Sequence, residues 1–131
     1  MKKFIVNPKY ANRAYKEDRF KESMLSDAVQ DERIEDIYRL LIEGVNPNAL
    51  LWKVSTDGIV YFEYPIGCPL DVATSPSVKR LLRYFGANKK MYKKHYDDSP
   101  NLPDYAKVWA RAAERRRRNW LKEHIPELYS T

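Results

Sequence analysis

The stretch that decides the fold is GCPLDVATSPSVKRLLRYFGAN, residues 67–88. Pro69 suits the first turn of a helix, where a missing N–H costs no hydrogen bond. Pro76 disfavours helical angles at the residue before it, so Ser75 ends the first short helix and can cap the next one. Gly86 readily takes the left-handed conformation that closes a helix. We therefore predict two short helices folded back on each other.

The same plan occurs earlier, over residues 20–49. Apolar positions recur there at helical spacing in two groups, separated by the polar break Gln30-Asp31-Glu32. The first group is Phe20, Met24, Ala28 and Val29, and the second is Ile34, Ile37, Tyr38 and Leu41. Gly44 closes the second helix, and NPNA at residues 46–49 is typical of a turn. These residues predict a second antiparallel helix pair.

Between the two helix pairs, apolar residues follow the two-residue period of a β-strand instead of the helical period. LLWKV (50–54) and IVYFEYPI (59–66) flank Ser55-Thr56-Asp57-Gly58, and Asp-Gly between such runs is typical of a hairpin turn. We predict a β-hairpin over residues 50–66 that turns at residues 55–58. A two-stranded ribbon is marginal alone, so either one face packs on helices while the other is open to a partner, or both faces are covered.

Residues 67–88 resemble an ankyrin repeat, through Pro69-Leu70-x-x-Ala73 and a Leu-Leu pair followed shortly by Gly-Ala. Residues 20–49 resemble a second repeat through Leu40-Leu41, Gly44 and Asn48-Ala49. The chain is thus similar to two degenerate ankyrin repeats with an inserted β-hairpin. Cys68 and Asp71 depart from the threonine and histidine of the family, and we expect weaker hydrogen bonding between turn and helix there.

The resemblance implies a mainly α fold of helix-turn-helix repeats whose first helices and finger turns form a concave protein-binding surface. On this chain it implies partner contacts at Asn48, at the hairpin around Trp52 and Tyr61, and at Asp71. Phe62 and Tyr64 extend the hairpin's aromatic surface, and aromatic residues are enriched where binding energy concentrates. Packing against the helices is the alternative role for these aromatic side chains.

Other segments are expected to cap the repeats, because stacked arrays need about three units. PDYAKVWARAAERRRRNWLKEHI, residues 103–125, predicts a long C-terminal capping helix from Asp104 to about Glu123. One face, expected to pack on the second repeat, carries Tyr105, Trp109, Ala112, Ala113 and Trp120. Residues 1–19 are predicted to form an N-terminal cap, with a short strand and then a helix that carries Tyr10, Ala14 and Tyr15.

The opposite face of the C-terminal helix carries a stripe of cations: Lys107, Arg111, Arg115, Arg118 and Lys122. Such a stripe is either a solvated face or an electrostatic footprint for phosphate backbones or an acidic protein surface. Both readings stay open at this point. Mutual repulsion of the cations favours an anionic partner.

Composition narrows the class of protein. A chain of 131 residues with net charge +6 favours a single domain, and Cys68 alone cannot form an internal disulfide. MKKFIVNPKY lacks a signal-peptide core, and no apolar run reaches membrane-spanning length, so we predict a cytoplasmic protein without a membrane partner.

His95 and His124 lack companions at metal-ligand spacing, and Cys68 lacks a nearby histidine. We predict no catalytic residue, metal or cofactor.

The predicted organisation is one domain over residues 1–131. Its segments are an N-terminal cap (1–19), a first repeat (20–49), a hairpin (50–66), a second repeat (67–90), a linker (91–102) and a basic C-terminal helix and tail (103–131). We expect a non-enzymatic protein–protein interaction module, an adaptor or inhibitor that docks on a larger protein. The alternative is nucleic-acid or ribonucleoprotein binding through the basic helix.

Overall fold

The computed structural model describes residues 5–92 and 103–129. Its elements in chain order are α1 (Arg19–Gln30), α2 (Ile34–Ile42), β1 (Leu51–Asp57), β2 (Val60–Gly67), α3 (Pro69–Val72), α4 (Pro76–Tyr84), α5 (Asp104–His124) and a 3₁₀ turn (Pro126–Leu128). The mainly helical fold, the hairpin and the long C-terminal helix are confirmed. Most of the predicted linker, including His95, lies outside the described residues.

Helix α1 begins at a reciprocal cap. The Asp18 side chain accepts a hydrogen bond from the backbone N–H of Lys21 at 3.1 Å, and the Glu22 carboxylate accepts one from the N–H of Asp18 at 2.7 Å. Leu25, Ala28 and Val29 form the buried side of α1. Phe20 and Met24, which the sequence pattern places with Ala28 and Val29, are exposed because they lie beyond the edge of that stripe.

Helix α4 begins where the sequence predicts, whereas α3 ends at Val72, three residues before Ser75. The Ser75 hydroxyl accepts a hydrogen bond from the N–H of Val78 at 3.3 Å and caps α4, as predicted. Gly44 and Gly86 both have the left-handed backbone that closes a helix, with φ of 103° and 96°. Helix α1 packs on both α2 and α3, and α2 and α3 each contact α4.

One apolar core joins the helix pairs to the C-terminal part of the chain. Its members in that part are Leu121 of α5, Ile125, and Leu128 of the 3₁₀ turn, and all three are buried. Helix α5 packs on α4. The C-terminal segment therefore belongs to the same apolar core as the helix pairs.

The predicted packing face of α5 is wrong over its first half. Ala113 and Trp120 are partly buried, whereas Tyr105, Trp109 and Ala112 are exposed. The inward side of the helix is instead centred on Ala113, Arg117 and Leu121, which are spaced four residues apart. The helix is turned this way because polar contacts from Glu114 and Arg117 bind it to the start of α4.

The hairpin turns later than predicted. Strands β1 and β2 pair antiparallel from Leu51 with Gly67 to Asp57 with Val60, which leaves Gly58 and Ile59 as a two-residue turn. Ser55 and Thr56 are predicted in the turn, but both belong to β1. Ser55 pairs with Phe62 and Thr56 pairs with Tyr61, so the strand pairing continues past the predicted end of β1. Gly58 adopts φ of 63°, and Ile59 is 99% exposed at the tip.

Residues 5–18 contain no helix, so the predicted N-terminal helix with Tyr10, Ala14 and Tyr15 is wrong. Residues 8–12 form turns instead. The backbone N–H of Asn7 donates to the carbonyl of Tyr84 at 3.0 Å, and the Tyr10 ring lies 4.5 Å from that of Phe85. This segment thus packs on the end of α4 through hydrogen bonds and aromatic contact. None of the described helices is both long and apolar enough to cross a lipid bilayer.

Candidate functional site

A groove of about 470 Å³ lies between the start of α1 and the hairpin. We call it the hairpin groove. The residues that define it here are Arg19, Phe20, Leu50, Trp52, Val54 and Glu63. It combines the first helix of the chain with one face of the ribbon, so a partner seated there contacts both elements.

Exposed apolar side chains line this groove. Phe20 is 76% exposed although it belongs to α1, and Trp52 and Val54 of β1 are also exposed. The Asp18 cap starts the helix immediately before Phe20, which places the ring in the first turn beside the hairpin. These side chains offer apolar surface that the fold itself leaves in water.

Arg19 joins the two walls of the hairpin groove. Its guanidinium lies 3.0 Å from the Glu63 carboxylate, and its Cζ lies 5.2 Å from the centre of the Trp52 ring. The arginine therefore makes an ion pair and a cation–π contact at once. It holds α1 and the hairpin together and balances the charge of Glu63, so this pair adds no net charge to the groove, whose lining also includes Glu22 and Ser23.

The structure divides the predicted aromatic set between the two faces of the ribbon. Thr56 pairs with Tyr61, so Tyr61 lies on the face of Trp52 and Val54. Ser55 pairs with Phe62 and Lys53 with Tyr64, which puts both rings on the other face, 6.2 Å apart. Most residues of both strands are exposed on both faces of the ribbon, so the alternative in which both faces are covered is wrong, and so is the alternative in which one whole face packs on the helices.

Asn48, a predicted partner contact, binds the chain itself. Its side-chain oxygen accepts hydrogen bonds from the N–H groups of Asn88 and Lys89 at 2.8 and 3.0 Å. Its side-chain nitrogen donates to the carbonyl of Gly86 at 3.1 Å. Asn48 thus ties the loop after α2 to the loop after α4, while it also lines the surface beside Trp52.

Asp71, the second polar contact predicted, is engaged in the same way. Its carboxylate accepts hydrogen bonds from the N–H groups of Cys68, Met91 and Tyr92 at 2.8, 2.7 and 3.1 Å. Asp71 thus ties the turn before α3 to the helix through the N–H of Cys68. A carboxylate has two acceptor oxygens, so it can tie the turn to its helix and to residues 91–92 together.

The five cations predicted on α5 lie exposed along one side of that helix: Lys107, Arg111, Arg115, Arg118 and Lys122. We call them the cation stripe. At 1.5 Å per residue the stripe is about 22 Å long. Lys122 also lies 5.5 Å from the centre of the Tyr129 ring, so its ammonium has a cation–π partner at the end of the stripe.

Sequence reasoning missed the importance of Glu114 and Arg117, which stand within the basic run. The Glu114 carboxylate accepts from the Ser75 hydroxyl at 2.6 Å and from the N–H of Ser77 at 2.8 Å. Arg117 donates to Glu114 at 3.0 Å and to Ser75 at 3.1 Å, and lies 3.4 Å from the Glu32 carboxylate. A lone acid three residues before an arginine, on the alanine side of the helix, was the available signal.

These contacts lower the pKa of the Glu114 carboxyl. Burial alone raises the pKa of its carboxyl, but the hydrogen bonds from Ser75, Ser77 and Arg117 outweigh it and leave the pKa below its ordinary value. The carboxylate is therefore ionised at neutral pH, where it can hold both the α4 N-terminus and Arg117.

By residue type, Cys68 is a potential nucleophile and His124 is a potential metal ligand. Burial, with a further contribution from Asp71, raises the pKa of the Cys68 thiol, which therefore stays protonated at neutral pH. His124 stacks on Trp120 with ring centres 3.9 Å apart. In residues 5–92 and 103–129, no group of histidine, cysteine and acidic side chains is arranged to hold a metal ion.

The geometry thus presents the hairpin groove and the cation stripe as surfaces that a partner could reach. No protein family, no curated protein and no solved structure matches this chain. The assignment of a function therefore rests on the chemistry of these two surfaces.

Proposed function

We propose that the chain is a non-enzymatic protein-binding module that docks a segment of a partner protein in the hairpin groove. The observation that carries this proposal is the exposure of Phe20, Trp52 and Val54 around one concavity. Concave apolar surface with a few polar groups at its edge is typical of binding sites, and buried aromatic anchors dominate binding energy. Docking there makes the chain an adaptor for the partner or an inhibitor of it.

We also propose that the two helix pairs are degenerate ankyrin repeats. Stacking of α1 on α3 and of α2 on α4 supports this, because equivalent helices of neighbouring repeats would pack in that way. Asn48 further joins the loop after α2 to the corresponding loop after α4. In the ankyrin family the first helices and finger turns bind proteins, and the hairpin groove lies between those two kinds of element here.

The test is a selection of random peptides displayed on phage against the whole chain. Enriched peptides are then titrated against Phe20→Ser with Trp52→Ser, and against the control Ile42→Ser with Met91→Ser. All four side chains are exposed, but Ile42 and Met91 lie outside the groove. We expect the groove variant to bind at least about tenfold more weakly, since losing an anchor typically changes the binding free energy by more than about 1 kcal/mol.

The control variant should bind as the unmodified chain does. Equal weakening in both variants, or unchanged affinity in the groove variant, would contradict docking at the hairpin groove. Circular dichroism of each variant verifies that the helices are intact, so that a loss of binding is not a loss of fold.

A second candidate function is nucleic-acid or ribonucleoprotein binding through α5. The observation that favours it is the exposure of all five members of the cation stripe along one side of a single helix. Several phosphate contacts make affinity fall steeply with salt, whereas an apolar groove gives a shallow dependence. Fluorescence anisotropy of a labelled oligonucleotide at increasing salt, with Arg111→Gln, Arg115→Gln and Arg118→Gln combined, tests this candidate.

A further inference from the structure

The first half of α5 is largely uncovered by the described part of the chain. Residues 103–112 are exposed apart from Ala106, which is partly buried. The polar contacts that bind the helix to the start of α4 come from Glu114 and Arg117, further along the helix. A partner can therefore approach this half of α5 over most of its circumference.

Four exposed apolar side chains form one stripe along this half. Tyr105 and Trp109 are 72% and 75% exposed, and Val108 and Ala112 are exposed as well. These residues occupy positions i, i+3, i+4 and i+7, which at about 100° per residue fall within an arc of about 100° and extend about 10.5 Å along the axis. We call them the apolar ridge. Apolar anchors at these intervals are the pattern with which a helix docks on another protein.

Charged side chains border the apolar ridge. Residues three or four apart are neighbours on a helix surface, with Cβ atoms about 5–6 Å apart. The charged neighbours that this rule defines are Asp104 and Arg111 beside Val108, and Arg115 and Arg116 beside Ala112. Three arginines and one aspartate give this rim a net charge of +2. The ion pairs within residues 5–92 and 103–129 use none of these three arginines, so their charge is available to a partner.

We propose that the apolar ridge docks an amphipathic helix of another protein, one that carries acidic side chains beside its apolar face. Side chains at helical intervals fit between the side-chain rows of a second helix, and the two axes then cross about 8–10 Å apart. At this separation, acids that flank the apolar face of the partner lie near the arginines of the rim. Complementary charge across an interface favours such a partner over a basic one.

The length of the apolar ridge fits a crossing helix. Further along α5, the sector of the ridge continues with the polar residues Arg116, Asn119 and Glu123. A coiled coil needs an apolar stripe that is sustained over several heptads, whereas two crossing helices touch over a short length. This surface is separate from the hairpin groove, because no residue of α5 lines that groove. The inference therefore goes beyond the docking proposed there.

Other occupants fit the apolar ridge less well. Symmetric pairing with a second copy of the chain would bring two basic rims together, and like charges across an interface are unfavourable. A helix that lies in a membrane surface needs an extended apolar face, and this ridge ends after two turns. A nucleic acid would engage the cation stripe through its phosphates and would leave the apolar ridge in water.

The experiment selects displayed helical peptides against the whole chain from two libraries. Peptides in both libraries have about 18 residues, or five turns, with random apolar residues at positions i, i+3, i+4 and i+7. The positions that flank this apolar face are glutamate in one library and lysine in the other. Enriched peptides are titrated by fluorescence anisotropy. We expect the tightest binders to come from the glutamate library, because its flanks complement the arginine rim.

Two variants separate the apolar ridge from the hairpin groove. Tyr105→Ser with Trp109→Ser should weaken the binding of the selected peptides at least about tenfold, since aromatic anchors carry much of the binding energy. Phe20→Ser with Trp52→Ser alters only the hairpin groove and should bind these peptides as the unmodified chain does. All four side chains are exposed, and circular dichroism checks that each variant remains folded.

An exchange of charges tests the rim. Arg111→Glu with Arg116→Glu should bind the glutamate-flanked peptides about tenfold more weakly or worse at low salt, because like charges then face each other. The same variant should bind lysine-flanked versions of these peptides more tightly than the unmodified chain does. Lys16→Glu with Lys53→Glu makes the same change of net charge at exposed positions outside α5 and should leave both affinities unchanged.

The possible failures are distinguishable. If the selected peptides lose affinity only for Phe20→Ser with Trp52→Ser, the hairpin groove stands as a docking site and docking at the apolar ridge is overturned. Equal affinities from the two libraries, or no effect of Tyr105→Ser with Trp109→Ser, would also overturn it. A dimer in sedimentation velocity, or binding to vesicles that contain phosphatidylserine, would reassign the apolar ridge if the ridge variant abolished it while peptide binding was unchanged.

Discussion

The carboxylate of Glu114 in α5 lies 2.6 Å from the hydroxyl of Ser75, the N-cap residue of α4. The same carboxylate accepts the backbone N–H of Ser77, one of the N–H groups that α4 cannot satisfy internally. A negative charge at a helix N-terminus is also favoured by the helix dipole. One side chain from the last helix thus completes the cap of another helix.

Replacement of Glu114 by alanine should lower the free energy of unfolding by about 1.5–3 kcal/mol, the range for losing hydrogen bonds to a charged group. The change removes the acceptor for Ser75 and Ser77 and leaves Arg117 with less compensation. Urea unfolding followed by circular dichroism measures the loss. Glu123→Ala, an exposed acid on the same helix, is the control and should change stability by no more than about 0.5 kcal/mol. Equal effects of the two substitutions would refute the capping role.

The contribution of the Glu114 charge should depend on pH in a defined direction. Because folding lowers the pKa of this carboxyl, its charge stabilises the folded state above the ordinary pKa of 4.5, and this contribution is lost as the pH falls through the folded pKa. The difference in unfolding free energy between the unmodified chain and Glu114→Gln should therefore be constant near neutral pH and shrink in acid. Urea titrations at a series of pH values check this, and a difference that grew in acid would contradict it.

Two glycines with the same backbone conformation should differ in their tolerance of alanine. A Cβ added at Gly86 would lie 2.6 Å from the carbonyl oxygen of Tyr10, whereas one added at Gly44 would meet no atom within 4 Å. Gly44→Ala should cost about 1–2 kcal/mol for the positive φ alone. Gly86→Ala should cost at least about 1 kcal/mol more, because the N-terminal segment must move away. Thermal unfolding of both variants measures the difference, and equal losses would mean that residues 7–12 do not rest on Gly86.

The Asn48 side chain should act as a structural tie whether or not it also meets a partner. Asn48→Ala removes hydrogen bonds to Gly86, Asn88 and Lys89 and should reduce the free energy of unfolding by about 1–3 kcal/mol. The matched control is Asn88→Ala, which keeps the backbone N–H that Asn48 binds. Chemical denaturation should separate the two variants clearly. If Asn48→Ala is as stable as the control, the bonds between the two loops contribute little.

Features encoded by neighbouring residues could be predicted from the sequence. Ser75 before Pro76 determines the start of α4 locally, and Gly44 and Gly86 end their helices for a reason intrinsic to glycine. The sequence predicts the hairpin but not the position of its turn, because Ser55 and Thr56 are compatible with both strand and turn, and only the pairing with β2 decides between them.

The orientation of α5 could not be predicted from the sequence. Two stripes of residues on this helix, one with Tyr105 and Trp109 and the other with Ala113 and Leu121, are both compatible with packing against the core. Periodicity alone favours Tyr105 and Trp109, whereas the contact that selects the other stripe joins Glu114 to Ser75, 39 residues away. The same limit applies to the hairpin groove. Phe20 follows an apolar helical period, and its exposure depends on where Asp18 starts the helix and on the position of β1.

The burial of Leu121, Ile125 and Leu128 in the main core has a consequence for the order of events during translation. A ribosome delivers the two helix pairs first, and the apolar surface of α4 that α5 covers is then still open to water. Native packing cannot be completed until residue 128 has left the ribosome. The nascent chain therefore passes through a stage with exposed apolar surface, at which a chaperone that recognises such surface would bind it.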